Sequence, residues 1–205
     1  MEEIGLFPLG IVLLPGERVP LHIFEPRYRE LIGECLDGEG EFGLVHADDD
    51  GVREIGTRAR VAELLDRFDD GRMNVVVEGG ERFRIVEVTS GRSFHTARIE
   101  PVGDDAGEPA PGDADRALGA FRALAEVVEA EPDEPDPGSP VLSFDLAGLV
   151  ELPVAAKQEL LELRSEQARL VRVAALLEDA RRLVEMEREL RERASRNGSR
   201  GTWTG

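Results

Sequence analysis

Residues 7–29 read FPLGIVLLPGERVPLHIFEPRYR, and this stretch decides how the chain is read. It divides into an apolar strand, a Pro15-Gly16 turn, a second strand from Val19 to Phe24, and the entrance of a helix. Strand side chains alternate between faces, and Phe7, Leu9, Val12 and Leu14 do not share one parity. A bend or bulge near Gly10 is therefore required. Pro26 suits the first helical turn, where its missing N–H is no loss, and Glu25 beside it favours the positive end of the helix. Tyr28, Leu31, Ile32 and Cys35 recur at helical spacing, and Gly38 and Gly40 stop the run. Cys35 on that stripe reads as packing, not as a nucleophile.

Working outward, short strands continue to residue 102. Phe42 to His46 precedes the turn Asp48-Asp49-Asp50-Gly51, and Gly56 to Asp66 alternates apolar and polar residues before Asp69-Asp70-Gly71. Met73 to Glu78 follows, then Gly79-Gly80 in a hairpin position, then Phe83 to Thr89 and Phe94 to Val102. This spacing predicts a small barrel or curled sheet over residues 1–102. Residues 103–112, with two prolines and no apolar side chain larger than Ala, read as an acidic linker.

From residue 113 to 194 the apolar period becomes helical. Leu118, Phe121, Leu124, Ala125 and Val128 share one stripe, and the Pro-rich acidic break from Glu131 to Pro140 follows. Ser139-Pro140 reads as the start of a second helix bearing Leu142, Leu146, Leu149 and Val150. Pro153 starts a third, with Leu160 and Leu161 inside. Ser165 caps a long fourth through Leu170, Val173, Leu177 and Val184. Beyond Val184 the apolar positions thin to Met186 and Leu190, so this helix should outrun its own globule. Residues 195–205 have the composition of a disordered tail.

Charge bears on partners. The 205 residues carry 43 acids and 25 bases, a formal charge of −18. Residues 1–100 net −9, residues 101–150 net −10 and residues 151–205 net +1. Polyanions seek basic surfaces, so nucleic acid and anionic lipid are poor partners. No apolar run approaches the ~18 residues of a membrane span. Met1-Glu2-Glu3 is not the basic start of a signal peptide, and one cysteine excludes an internal disulfide. These features predict a cytoplasmic protein without membrane contact.

Enzyme signatures are missing. The phosphate-binding pattern needs Gly before Lys, but the single lysine, Lys157, follows Ala156. No GxSxG elbow occurs. His22, His46 and His95 stand in apparent strands without metal-ligand spacing. Asp48-Asp49-Asp50-Gly51 lacks the spacing of a calcium loop and reads as a solvated turn. No metal or other cofactor is expected.

Three patches together resemble the N-terminal, substrate-binding domain of Lon proteases. The first is Phe7-Pro8-Leu9, Val12-Leu13-Leu14-Pro15-Gly16, Pro20-Leu21 and Ile23-Phe24-Glu25-Pro26-Arg27-Tyr28, with Leu14 where the family commonly has Phe. The second is Gly56-Thr57-Arg58-Ala59 with Val77 to Ile85. The third is Leu152-Pro153, Lys157 to Glu162 and Arg169-Leu170. The resemblance covers residues 4–185. It implies an α+β fold: a PUA-like β pseudo-barrel with one flanking helix, then a helical bundle ending in a long helix. It also implies contact with unfolded or tagged polypeptides, and a Lon-type protease as a candidate partner.

With neither ATPase nor peptidase signatures, the chain reads as a stand-alone, non-enzymatic version of the domain, an adaptor or regulator of proteolysis. The alternatives are a PUA-like binder of RNA or a small ligand, and an enzyme with an unrecognised site. Leu13, Leu14, Pro15, His22 and Phe24 are the candidate peptide-contacting residues, on the Phe7–Tyr28 face or beside a groove between barrel and bundle. A monomer is favoured, with a weak dimer through Met186 and Leu190 as the other outcome.

Overall fold

The computed structural model describes residues 2–38 and 40–198, with side chains as far as residue 194. β1 (Glu2–Leu9) stops at Gly10, where the parity of the apolar residues breaks. Val12-Leu13-Leu14 is not a strand, although all three side chains are buried. After the Pro15-Gly16 turn come β2 (Arg18–Ile23), α1 (Pro26–Gly38), β3 (Phe42–Asp48) and the short β4 (Gly51–Val52). β5 (Ile55–Arg67), β6 (Met73–Thr89) and β7 (Thr96–Pro101) complete the sheet.

The strand order is β1-β7-β6-β5-β3-β4, and β1 also pairs in parallel with β3, Leu6 opposite Gly43 and Leu9 opposite His46. That pairing closes a ring of β1, β7, β6, β5 and β3, which removes most free edges. β2 lies outside the ring, antiparallel to the first half of β6 from Arg18 opposite Glu78 to Ile23 opposite Met73.

β6 departs from the sequence expectation. Gly79-Gly80 does not turn the chain, and one strand of 17 residues runs through it. The glycine is there for closeness: a Cβ on Gly79 would stand 2.2 Å from the Leu14 carbonyl oxygen. Its oxygen accepts from the Gly16 N–H (2.8 Å) and its N–H donates to the Glu17 carbonyl (2.9 Å). A glycine inside a strand often marks such a backbone approach. β6 changes neighbours at the same place. β2 accompanies it to Glu78, and β7 accompanies it from Phe83 opposite Pro101.

Leu6, Val45, Phe83, Ala97 and Ile99 form one apolar cluster of the barrel. Another gathers Phe7, Ile23, Tyr28, Ile32, Phe42 and Val75. Phe7 stacks on Tyr28 with ring centroids 4.1 Å apart. α1 buries Tyr28, Leu31, Ile32 and Cys35, the stripe its spacing predicts. Burial pushes the Cys35 thiol up to about 11, so it packs as a neutral side chain.

The second half holds α2 (Asp113–Val128), α3 (Leu142–Gly148), α4 (Val154–Glu162) and α5 (Glu166–Gly198). α2 lies along α5, and Leu118, Phe121, Leu142, Leu160, Leu170 and Leu177 fill the bundle. Val12, Leu14 and Ile55 join that core from the barrel side, while Leu13 packs in the barrel cluster. Residues 12–14 thus wedge between two cores.

The helix starts carry smaller adjustments. Ser165 caps α5 by accepting from the Ala168 N–H at 3.3 Å. α3 starts later than Ser139-Pro140 suggests, with Val141 at its cap. α5 has 33 residues and is about 50 Å long. Arg188 meets Glu129 beyond the end of α2 at 3.1 Å, and Leu183, Met186 and Leu190 are exposed. The helix passes the boundary expected at 194 and runs to Gly198. The rest of the expected tail, 199–205, lies outside the described residues.

Candidate functional site

Barrel and bundle meet along a polar seam. Glu17, just after the Pro15-Gly16 turn, accepts from the Leu14 N–H (2.9 Å) and pairs with Lys157 of α4. Gln158, on the next position of α4, donates to the Ile55 carbonyl at 3.3 Å. At the end of α4, Arg82 of β6 donates to the carbonyls of Leu161 (2.9 Å) and Leu163 (2.7 Å). The seam therefore uses the Lys157–Glu162 patch that sequence reading singled out.

Two arginines at the centre of the seam are buried, Arg169 at 0% exposure and Arg82 at 6%. Both bind Asp104 of the acidic linker. Arg169 grips that carboxylate with two nitrogens, at 2.6 and 2.5 Å, and Arg82 donates to the same group. Arg169 also meets Glu166 (2.7 Å), the Leu163 carbonyl (2.8 Å) and the Ser143 hydroxyl (3.0 Å). Both guanidinium groups lie over the Phe144 ring, 4.4 Å for Arg169 and 5.4 Å for Arg82.

The pKa directions follow from these partners. Burial lowers the Arg82 pKa, and one carboxylate does not offset it. Burial works the same way on Arg169, but the Asp104 and Glu166 carboxylates outweigh it and the pKa rises. The hydrogen bond from Arg169 holds Asp104 below the usual carboxylate range.

A groove of about 1050 Å³ runs beside this cluster. Its floor is where β6 passes from β2 to β7, at Gly79 to Arg82. Its walls come from residues 101–109 and from the Pro137–Phe144 segment. Nearly half of its lining is glycine or proline, so much of the wall is main chain and short rings. Glu81, Asp104, Glu108 and Glu166 make it acidic despite Arg82.

The sequence candidates separate. Leu13 and Leu14, at 1% and 0% exposure, are core residues rather than contact surface. Thr57 seals that wedge by donating its hydroxyl to the Leu13 carbonyl at 2.6 Å. Their apolar character is explained by two cores, one on each side. Pro15 is half-buried and lines the groove. His22 and Phe24 lie at the other end of β2, stacked at 6.1 Å, with Phe68 at 6.3 Å from His22. Phe24 is 60% exposed. Asn74 Oδ1 accepts from His22 Nδ1 at 2.7 Å, and Asn74 Nδ2 donates to Asp66 at 2.9 Å.

Sequence reading had Arg82 and Arg169 only within the family-like patches and Asp104 only within the acidic linker, and it missed their convergence. One signal existed: Arg169 is an arginine on the face of α5 that also carries Val173, four residues on. Among the described residues, no group of three or more His, Cys, Asp or Glu side chains gathers as a metal site needs, and no helix is long and apolar enough to cross a membrane.

Comparison with known proteins places these features. The profile of the ATP-dependent protease La (LON) substrate-binding domain matches residues 3–179. A Lon protease of Anaeromyxobacter dehalogenans is 26% identical over 196 residues, covering 87% of this chain and 23% of that protein. One of Azospirillum brasilense is 28% identical, covering 94% of this chain and 26% of that protein. The chain thus spans about a quarter of the length of these relatives. The crystal structure of a Lon N-terminal domain protein from Xanthomonas campestris superposes with a TM-score of 0.67 at 26% identity, covering 85% of this chain and 98% of that one. The N-terminal domain of a Mycobacterium avium complex Lon protease shares the fold, with a TM-score of 0.64 at 19% identity over 87% of this chain and 99% of that one. The matched region takes in the barrel, the seam and most of the bundle, and the chain belongs to the Lon substrate-binding domain family.

Proposed function

We propose that this chain is a non-catalytic polypeptide-binding module whose contact surface is the groove between barrel and bundle. The observation that carries the reading is that the substrate-binding family match, residues 3–179, includes both walls of that groove. A wall rich in glycine and proline offers main chain and flat rings, which suit an extended polypeptide with little regard to its side chains. The acidic lining steers cationic clients toward it and slows acidic ones. Pro15 contributes to the groove, and His22 with Phe24 gives a second apolar anchor at the far end of β2. The clients are unfolded or tagged polypeptides, handed to or withheld from a Lon-type protease in the cytoplasm. This is the role of an adaptor or regulator.

Fluorescence anisotropy with a labelled, permanently unfolded basic polypeptide tests the reading. The chain should bind it and ignore a folded protein of similar charge. Val141→Asp, on the groove wall, and Phe24→Ser should each weaken binding about tenfold, a change of about 1.4 kcal/mol, with Tm unchanged. Absence of binding, or variants that bind as wild type does, would refute it. Purified protein should hydrolyse neither ATP nor peptide.

A further inference from the structure

We infer that Arg82 and Arg169 form a carboxylate socket at the groove, filled in this conformation by Asp104 and able to take the carboxylate of a bound polypeptide instead. The inference rests on the polypeptide-binding reading and names the client group that the groove recognises.

The charges of the cluster do not balance without a guest. Arg169 keeps Glu166 as a counter-ion, but the remaining partners of Arg82 in the seam are the neutral carbonyls of Leu161 and Leu163. With Asp104 removed, two buried guanidinium groups face one carboxylate, and a buried unpaired charge is strongly unfavourable. The site therefore demands an anion. Its shape demands a carboxylate, because Arg169 presents two nitrogens to two oxygens, in the fork geometry that matches that group. Phe144 beneath both guanidinium groups and Ser143 against Arg169 hold the fork in place before any guest arrives.

The present occupant belongs to neither folded half. Asp104 sits in the linker between β7 and α2, and its side chain is 32% exposed, so water reaches the socket. Arg82, Asp104, Phe144 and Glu166 all line the groove, which puts the socket where a client's chain would lie. Exchange of Asp104 for another carboxylate conserves charge inside the seam. The released Asp104 would join Glu81 and Glu108 on an acidic rim, which favours basic side chains next to the incoming carboxylate. A polypeptide supplies such a group at its C-terminus or on an Asp or Glu side chain.

The test uses the full chain, wild type and Asp104→Asn, and three labelled Lys-, Leu- and Ala-containing peptides. One ends in a free carboxylate, one in an amide, and one is amidated with a single internal Asp. The free acid should bind at least about tenfold more tightly than the plain amide, and Asp104→Asn should strengthen only carboxylate-bearing peptides. An internal-Asp peptide matching the free acid would support the socket and assign it to side-chain carboxylates. Equal binding of all three peptides to both proteins would overturn the socket and leave the polypeptide-binding reading standing. A second measurement covers a poorly folding variant: sodium acetate should raise the Tm of Asp104→Ala by about 2 °C or more over sodium chloride at equal ionic strength. Without that acetate-specific rise the socket is overturned, whatever the peptides do. With it, and with no peptide bound, the socket stands and the polypeptide-binding reading fails.

Discussion

The barrel interior and the seam are both buried, but they are held by different chemistry. Inside the barrel, Leu6, Phe83 and Ile99 pack with no charged group among them. In the seam, Arg82, Asp104, Glu166 and Arg169 lie together, with Lys157 and Glu17 nearby. Apolar burial is non-directional and supplies most of a fold's stability. A buried ion cluster contributes little net stability, because desolvation cancels much of the attraction, yet losing one member is expensive. The barrel is therefore built to stay closed. The seam is built to hold one orientation and to answer to charge, pH and competing ions.

The largest expected effect lies on the apolar side. Phe83→Ala should cost about 3–5 kcal/mol in denaturant unfolding, through lost transfer energy and the cavity left behind. A loss under 1 kcal/mol would mean the barrel is not the stability core. Next comes the seam. Asp104→Ala should cost about 1–3 kcal/mol, below the full value for a buried pair because Asp104 is partly exposed. Adding Arg169→Met should cost less than the sum of the two single losses, since the two share one interaction.

Acid sharpens the same contrast. Asp104 is held below the usual carboxylate range, so the unfolded chain takes up its proton at higher pH than the folded one does. The stability this group contributes is complete above the ordinary carboxylate pKa of about 3.9 and is lost as pH falls through that value toward the depressed one. Wild type should therefore lose more stability between about pH 5 and pH 3 than Asp104→Ala does. Parallel curves would show that Asp104 is no anchor.

The smallest effect concerns the linker. The division into barrel and bundle at residues 103–112 is an expectation from the sequence, and limited proteolysis tests it. Residues 103–105 are tied down, Asp105 N–H to the Arg164 carbonyl at 2.8 Å and Arg164 Nε to the Gly103 carbonyl at 3.2 Å. Residues 106–110 are exposed. Cleavage should begin there, and the fragments should co-elute, because Val12, Leu14 and Ile55 are embedded in the bundle core. First cuts inside 56–100, or fragments that separate at once, would break the division or the shared core respectively.

What the sequence reveals follows from where side chains have only one environment to satisfy. The α1 stripe, the bend at Gly10 and the helical stripe of α5 are all legible, because each faces a single core. Residues 12–14 are not, because Leu13 and its neighbours serve opposite cores, and an apolar run then looks like an exposed contact surface. Gly79-Gly80 reads as a turn because the Leu14 backbone that presses on it lies 65 positions earlier in the sequence. Arg82, Asp104 and Arg169 are hidden for a related reason. Their meaning comes from convergence across a strand, a linker and a helix, and each alone resembles a solvated charge. Pro15, His22 and Phe24 are legible as surface features, though the structure splits them between the groove and the far end of β2.

The most direct test of the account is hydrogen–deuterium exchange of the whole chain with and without the unfolded basic polypeptide. Binding in the groove should slow exchange in residues 79–82, 101–109 and 137–144, and leave β3 and the exposed end of α5 near Leu183 to Leu190 unchanged. Protection confined to that end of α5, or none at saturating polypeptide, would contradict it.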